Sequence, residues 1–217
     1  MSRVVQVTVL SMALAIFSGS AQAGTEEAFW KWFASNEQRL FAFEKDQEAI
    51  FDDLGREMSR VHSDLTFEFG PVRDGKREFV ISAGGIKSAF PAVESLYRKA
   101  PSLERWIWIK FRPRRSHLSD LGYGGKRIRA DDVRYLLAKD ADRVGIVLFF
   151  EGYTEEQSNT YGQIGYLFLD EALGEYAVET QVGFIEFQST ESKYFSQSSP
   201  LSELPKQFDE YWAGKVN

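Results

Sequence analysis

The residues best suited to chemistry in this chain are cations. Lys110, Arg112, Arg114, Arg115, Lys126, Arg127 and Arg129 fall within one short stretch. From Arg105 to Arg134 there are nine Lys or Arg against three Asp, on a chain whose overall charge is −6. Guanidinium forks match the paired oxygens of carboxylates and phosphates. Several exposed cations together attract an anionic surface over about a Debye length, roughly 8–10 Å at physiological salt. Arg112 and Arg114, two apart, face the same side of an extended chain. Arg112, Arg114, Arg115, Lys126, Arg127 and Arg129 are therefore the expected binding residues, for an anion or an acidic partner. The competing interpretation is a solvated loop that balances acidic helices.

Other constellations are weaker. Trp106 and Trp108 share one face of a strand pattern and could stack a ring, although such a pair more often packs under a helix. Asp52-Asp53, Asp131-Asp132 and Asp140 with Asp142 could share acid–base work or hold a hard cation, but none has calcium-loop spacing. Glu155-Glu156 and Asp170-Glu171 fit helix ends and turns. The two histidines, His62 and His117, belong to no HExxH or Ser-His-Asp signature, and neither G-x-S-x-G nor a phosphate-binding glycine loop occurs. Gly84-Gly85 before a helix is a weak anion signal. There is no cysteine, which removes thiolate nucleophiles, thiolate metal sites and disulfides. No catalytic residue, metal site or cofactor is expected. A net acidic chain is also a poor match for general nucleic-acid binding, where phosphate attraction needs cations.

The elements that must position these residues are read from periodicity. Thr25 suits a helix cap, with Glu26 and Glu27 in the first turn. Phe29, Phe33, Leu40, Phe43, Ile50, Leu54, Met58 and Val61 then recur at helical intervals. Ser35 and Gln38 resemble a capping box, which predicts a bend near 35. Trp30 and Trp32 lie off this stripe, either widening the buried face or partly exposed. From Leu65 the period becomes two, Asp74-Gly75 marks a turn, and Arg77 to Ser82 returns as a strand. A helix fits Ser88 to Ala100, ended by Pro101. Trp106 to Phe111 is apolar on both faces and predicts a central strand.

A similar order follows. Val133 to Leu137 alternates, Asp140 to Arg143 turns, and Val144 to Phe150 is apolar on both faces. Gln157 to Ala172 has helical spacing, although Gly162 and Gly165 each cost about 1 kcal/mol there. Val182 to Phe187 reads as the last strand. A short helix after Ser199-Pro200 carries Leu201, Leu204, Phe208, Tyr211 and Trp212. Arg112 to Asp132 reads as a long polar loop, and loops of that length are often functional.

The expected fold class is α+β. Two ββαβ-like units, near 64–112 and 132–188, form a mixed, largely antiparallel sheet with a long N-terminal helical segment and a short C-terminal helix. The two halves share no residue-level identity, so one mixed sheet without internal symmetry is the alternative. The 24–217 stretch is expected to form a single domain.

The N-terminus carries an address. Arg3, an apolar stretch from Val4 to Phe17 and Ala21-Gln22-Ala23 follow the order of a secretory signal. This mostly apolar stretch of about 14 residues falls short of the roughly 20 that span a bilayer. A cleaved signal at 1–23 and an exported mature chain, periplasmic or secreted, are expected; a buried or uncleaved helix is the alternative. No stable membrane span is expected after cleavage.

Three stretches, LTFEFGPVRDGKREFVISAGGIKSAFPAVESLYRKAPSLERW (65–106), KFRPRR (110–115) and LDEALGEY (169–176), with PLSELP near the C-terminus, resemble a group of bacterial proteins of unknown function. The resemblance covers most of the mature chain, implies no activity and carries no catalytic residue. Members of that group often lack a signal, so this N-terminus is a departure. The expected function is an exported non-enzymatic binding or interaction protein, taking an acidic protein or an anionic envelope component. The alternatives are a carboxylate-dependent hydrolase acting on anionic cell-envelope material, and an immunity-type or regulatory partner.

Overall fold

The computed structural model describes residues 13–214, with side chains described from residue 24 onward. The leader expected at 1–23 therefore lies outside the described side chains. No helix among the described residues is long and apolar enough to cross a membrane. The chain divides into two compact units between Lys110 and Phe111.

The first unit begins with α1 (Ala13–Ser35), α2 (Glu37–Phe41), a 3-10 turn (Phe43–Lys45) and α3 (Gln47–Val61). These lead to β1 (Thr66–Arg73), β2 (Lys76–Ser82), α4 (Phe90–Arg98) and β3 (Trp106–Lys110). Thr25 does not start a helix, because α1 already runs through it. The predicted bend at 35 is real, but no capping box forms: Ser35 Oγ donates back to Lys31 O, and no side chain caps α2. α3 buries Ile50, Leu54, Met58 and Val61, the apolar stripe its spacing predicts.

The first sheet runs β1-β2-β3, with β1 antiparallel and β3 parallel to β2. Asp74 and Gly75 make the hairpin turn, both at positive φ (51° and 75°), as a two-residue turn matched to strand twist requires. The strand β3 is at an edge, not central as its sequence predicts, and Ile107 is exposed. Its apolar character serves one face: Phe33, fully buried, meets Trp106 at 4.9 Å, Phe79 at 5.1 Å and Trp108 at 5.2 Å. Trp30 widens the buried face and donates Nε1–H to Leu96 O at 2.8 Å.

In the second unit the 112–132 stretch is not a plain loop. It contains the hairpin β4 (Leu121–Tyr123) and β5 (Lys126–Ile128), then a 3-10 turn (Ala130–Asp132). Next come β6 (Arg134–Asp140), β7 (Arg143–Phe150), α5 (Ser158–Leu173), α6 (Glu175–Gln181), β8 (Val182–Ser189), β9 (Ser199–Pro200) and α7 (Leu204–Ala213). The main sheet is ordered β8-β7-β6-β9, with β7 antiparallel to β6 and parallel to β8. Here the doubly apolar strand, β7, is central.

The ββαβ order thus occurs once in each unit, with separate sheets rather than one mixed sheet. Val144, Ile146, Leu148 and Phe150 pack with Tyr161, Ile164, Phe168 and Ala172 of α5 and with Leu201, Leu204 and Phe208. The glycines that count against α5 have a packing reason. A Cβ on Gly165 would lie 2.2 Å from the Phe187 ring, and one on Gly162 at 3.6 Å. The helix gives up propensity so that β8 can seat an aromatic ring against it.

Candidate functional site: a cationic cleft in the second unit

The structure sorts the predicted cations by what holds them. The 111–120 segment is fastened to α5 and α6 by main-chain and side-chain bonds. Arg112 N–H donates to Glu175 Oε2 at 2.9 Å, and Glu175 N–H donates to Arg112 O at 3.0 Å. Arg115 N–H donates to Glu171 O at 2.7 Å, and Ser119 N–H to Glu171 Oε2 at 2.8 Å. Gly174, at φ +84°, lets this backbone approach: a Cβ there would lie 3.3 Å from Arg114 N and 3.4 Å from Arg112 O. The FRPRR and LDEALGEY stretches are therefore two sides of one joint. Asp170 and Glu171, which look in the sequence like ordinary helix-end acids, are partners of the arginine segment together with Glu175.

Within this joint Arg112 Nη1 lies 3.2 Å from Asp170 Oδ2, both side chains being largely buried. Burial pushes the Asp170 carboxyl up to about 7; Arg112 opposes the rise and the Glu175 charge adds to it. One guanidinium faces two acids, so full ionisation leaves one negative charge poorly compensated. Arg114 makes a bidentate pair with Asp209, at 2.8 and 3.0 Å, which holds that carboxyl below its usual range. Arg112 and Arg114 are thus engaged within the unit.

Lys126, Arg127 and Arg129 are placed differently. Gly124 and Gly125, both at positive φ (57° and 78°), turn the β4–β5 hairpin, and Gly124 sits against Thr160 of α5. The hairpin carries the three cations to the rim of a cavity of about 360 Å³, floored by Phe150 and Tyr161 and edged by Asp132 and Glu151. Lys126 Nζ donates to Tyr161 OH at 3.2 Å and lies 4.7 Å over its ring. Tyr161 OH in turn donates to Glu151 O at 3.1 Å. This relay fixes the lysine in the cleft.

Among the described residues, Arg127 and Arg129 have long, exposed ion pairs: Arg127 with Asp120 at 3.5 Å, Arg129 with Asp131 at 3.5 Å and Asp132 at 4.0 Å. Such pairs contribute about 0–1 kcal/mol, so an incoming carboxylate or phosphate can replace them at little cost. The cleft can therefore clamp an anionic group against an aromatic floor. Sequence reasoning named these three cations but missed Tyr161 and Phe150, which periodicity marks only as core.

The remaining candidates lie elsewhere. Trp106 and Trp108, in the first unit, stack on one another at 5.7 Å within the aromatic cluster, and Trp108 donates Nε1–H to Pro101 O. Asp53 pairs with Arg39 and Arg56. His62 Nδ1 accepts Asp64 N–H at 3.2 Å, and His117 is exposed in the 111–120 segment. Among the described residues no three His, Cys, Asp or Glu side chains gather as metal ligands would. No family model, curated protein or solved structure matches the chain.

Proposed function

We propose that this chain is an exported, non-enzymatic binding protein and that the cleft beside the β4–β5 hairpin receives its ligand, an anionic group of an acidic protein or of an envelope polymer. One observation carries the reading: three cations converge on a 360 Å³ cleft with an aromatic floor, and two of them have weak, exposed partners among the described residues. Export rests on the order of Arg3, the apolar 4–17 stretch and Ala21-Gln22-Ala23. It is tested by intact mass of the protein from the envelope fraction, expected to begin at Gly24.

Binding is tested by calorimetric titration of poly-L-glutamate and of polyphosphate into the full chain at low and moderate salt. Affinity for one of them is expected, falling as salt rises. In the triple variant Lys126→Gln, Arg127→Gln, Arg129→Gln it should weaken about tenfold or more, since charge-assisted hydrogen bonds contribute about 1.5–3 kcal/mol each. A folded triple variant that binds like the parent removes the cleft from consideration. A preference for poly-L-glutamate points to an acidic protein, and a preference for polyphosphate to an envelope polymer.

A further inference from the structure

A second cavity lies in the first unit and belongs to none of the residues discussed so far as binding residues. It measures about 600 Å³ and opens where α1 ends and α2, the Phe43–Lys45 turn and α3 succeed one another. Its lining brings together Arg39, Lys45 and Arg105, with one acid, Asp46, and with Phe41 as apolar surface above the buried Ile50. A volume of this size suits a small organic ligand. The corner exists because the helical segment breaks twice, at Asn36 and again between Ala42 and Asp46, turning α2 away from α1 and α3.

Two of the nearby acids are already committed, and the third, Asp46, has a long, exposed contact. Asp53 takes Arg39 at 2.5 Å and Arg56 as well. Glu44 takes Arg77 at 2.5 Å. Asp46 lies 3.9 Å from Arg39. Among the described residues, no carboxylate pairs with Lys45 or Arg105. The Arg105 guanidinium carbon instead lies 3.5 Å over the centre of the Phe41 ring. That contact uses the π face of the guanidinium and leaves its edge N–H donors for an acceptor in its own plane. Two uncompensated positive charges on a half-enclosed wall focus a positive potential into the cavity.

We propose that this cavity is a binding site for a small molecule with a doubly charged anionic head on an apolar or aromatic body. Arg105 provides the fork, Lys45 the second charge, and Phe41 the apolar surface. The count of uncompensated cations selects a dianion over a monoanion. A phosphate monoester and a dicarboxylate both meet that requirement. The site is independent of the cleft in the second unit.

The test is calorimetric titration of the full chain at pH 8, where a phosphate monoester with a second pKa of about 6 is a dianion. Phenyl phosphate and homophthalate are the dianionic probes, and benzenesulfonate is the monoanionic control of similar shape. At least one dianion should bind, about tenfold or more tighter than the sulfonate. Which of the two binds better assigns the head as phosphate or dicarboxylate. Lys45→Gln and Arg105→Gln should each weaken binding about tenfold, the scale of one charge-assisted contact. Both side chains are exposed, and an unchanged far-ultraviolet circular dichroism spectrum confirms that the variants fold. The losses from Lys45→Gln and Arg105→Gln should persist when each is made in the Lys126→Gln, Arg127→Gln, Arg129→Gln background, which separates this site from the other cleft. The proposal is overturned if neither dianion binds, if the sulfonate binds equally well, or if the Lys45 and Arg105 variants keep full affinity.

Discussion

The Asp170 carboxyl should make the second unit more stable in mild acid than at neutral pH. Its proton is held more tightly in the folded unit, up to about 7, than in the unfolded chain, near 3.8. A group of this kind adds stability that is fully present below the unfolded value and is lost as pH rises through the folded value. Each tenfold in proton affinity is worth about 1.4 kcal/mol. The full difference is thus roughly 4 kcal/mol, and the part recovered between pH 8 and pH 5 is about 2–3 kcal/mol. The Arg114 partner Asp209 works in the opposite sense, because its carboxyl is held below 3.8. Its contribution is lost only at lower pH, outside this window.

The assay is urea unfolding followed by amide peak intensities from β7, with β2 peaks as the reference from the first unit. From pH 8 to pH 5 the β7 midpoint should rise. Asp170→Asn is uncharged at every pH and keeps a carbonyl oxygen for Arg112, so it should flatten the slope. A β7 stability that does not change with pH, or a slope that survives in Asp170→Asn, would refute the reasoning.

Three further outcomes are expected. Gly165→Ala should lower stability by about 1–3 kcal/mol through overpacking against Phe187, although helix propensity alone favours alanine by about 1 kcal/mol; a stabilised variant in urea titration would overturn this. Phe33→Ala, Leu54→Ala and Phe149→Ala, all fully buried, should each cost about 2–5 kcal/mol, read for the first two by tryptophan fluorescence and for Phe149 by β7 amide peaks. Arg114→Gln, which removes a surface pair with Asp209, should change stability by only about 0–1 kcal/mol, with the difference vanishing in high salt; a larger loss in urea titration would mean that the pair organises the joint.

Much of the fold was legible because its signals are local. The stripe Ile50, Leu54, Met58, Val61 marks α3, Asp74-Gly75 marks a hairpin, and the run from Val144 to Phe150 marks a central strand, each within a few turns or pleats of chain. Where long-range packing decides, the same rules fail. Trp106 to Lys110 has the composition of a central strand yet lies at an edge, because its indoles fill a cluster around Phe33 that the strand pattern does not encode.

The candidate site divides in the same way. By itself the sequence determined that cations concentrate between 105 and 134, that no cysteine chemistry is available, and that an α+β order of elements recurs. Only the tertiary structure decided which cations are committed. Arg112 meets Asp170 and Glu175, 58 and 63 positions away, while Lys126 is set over Tyr161, 35 positions away. A charge is written in one residue, but whether it is compensated depends on which distant residue the fold brings within a few ångströms. Arg105 shows the same dependence: its guanidinium lies over the ring of Phe41, which α2 brings to it from a distant part of the sequence.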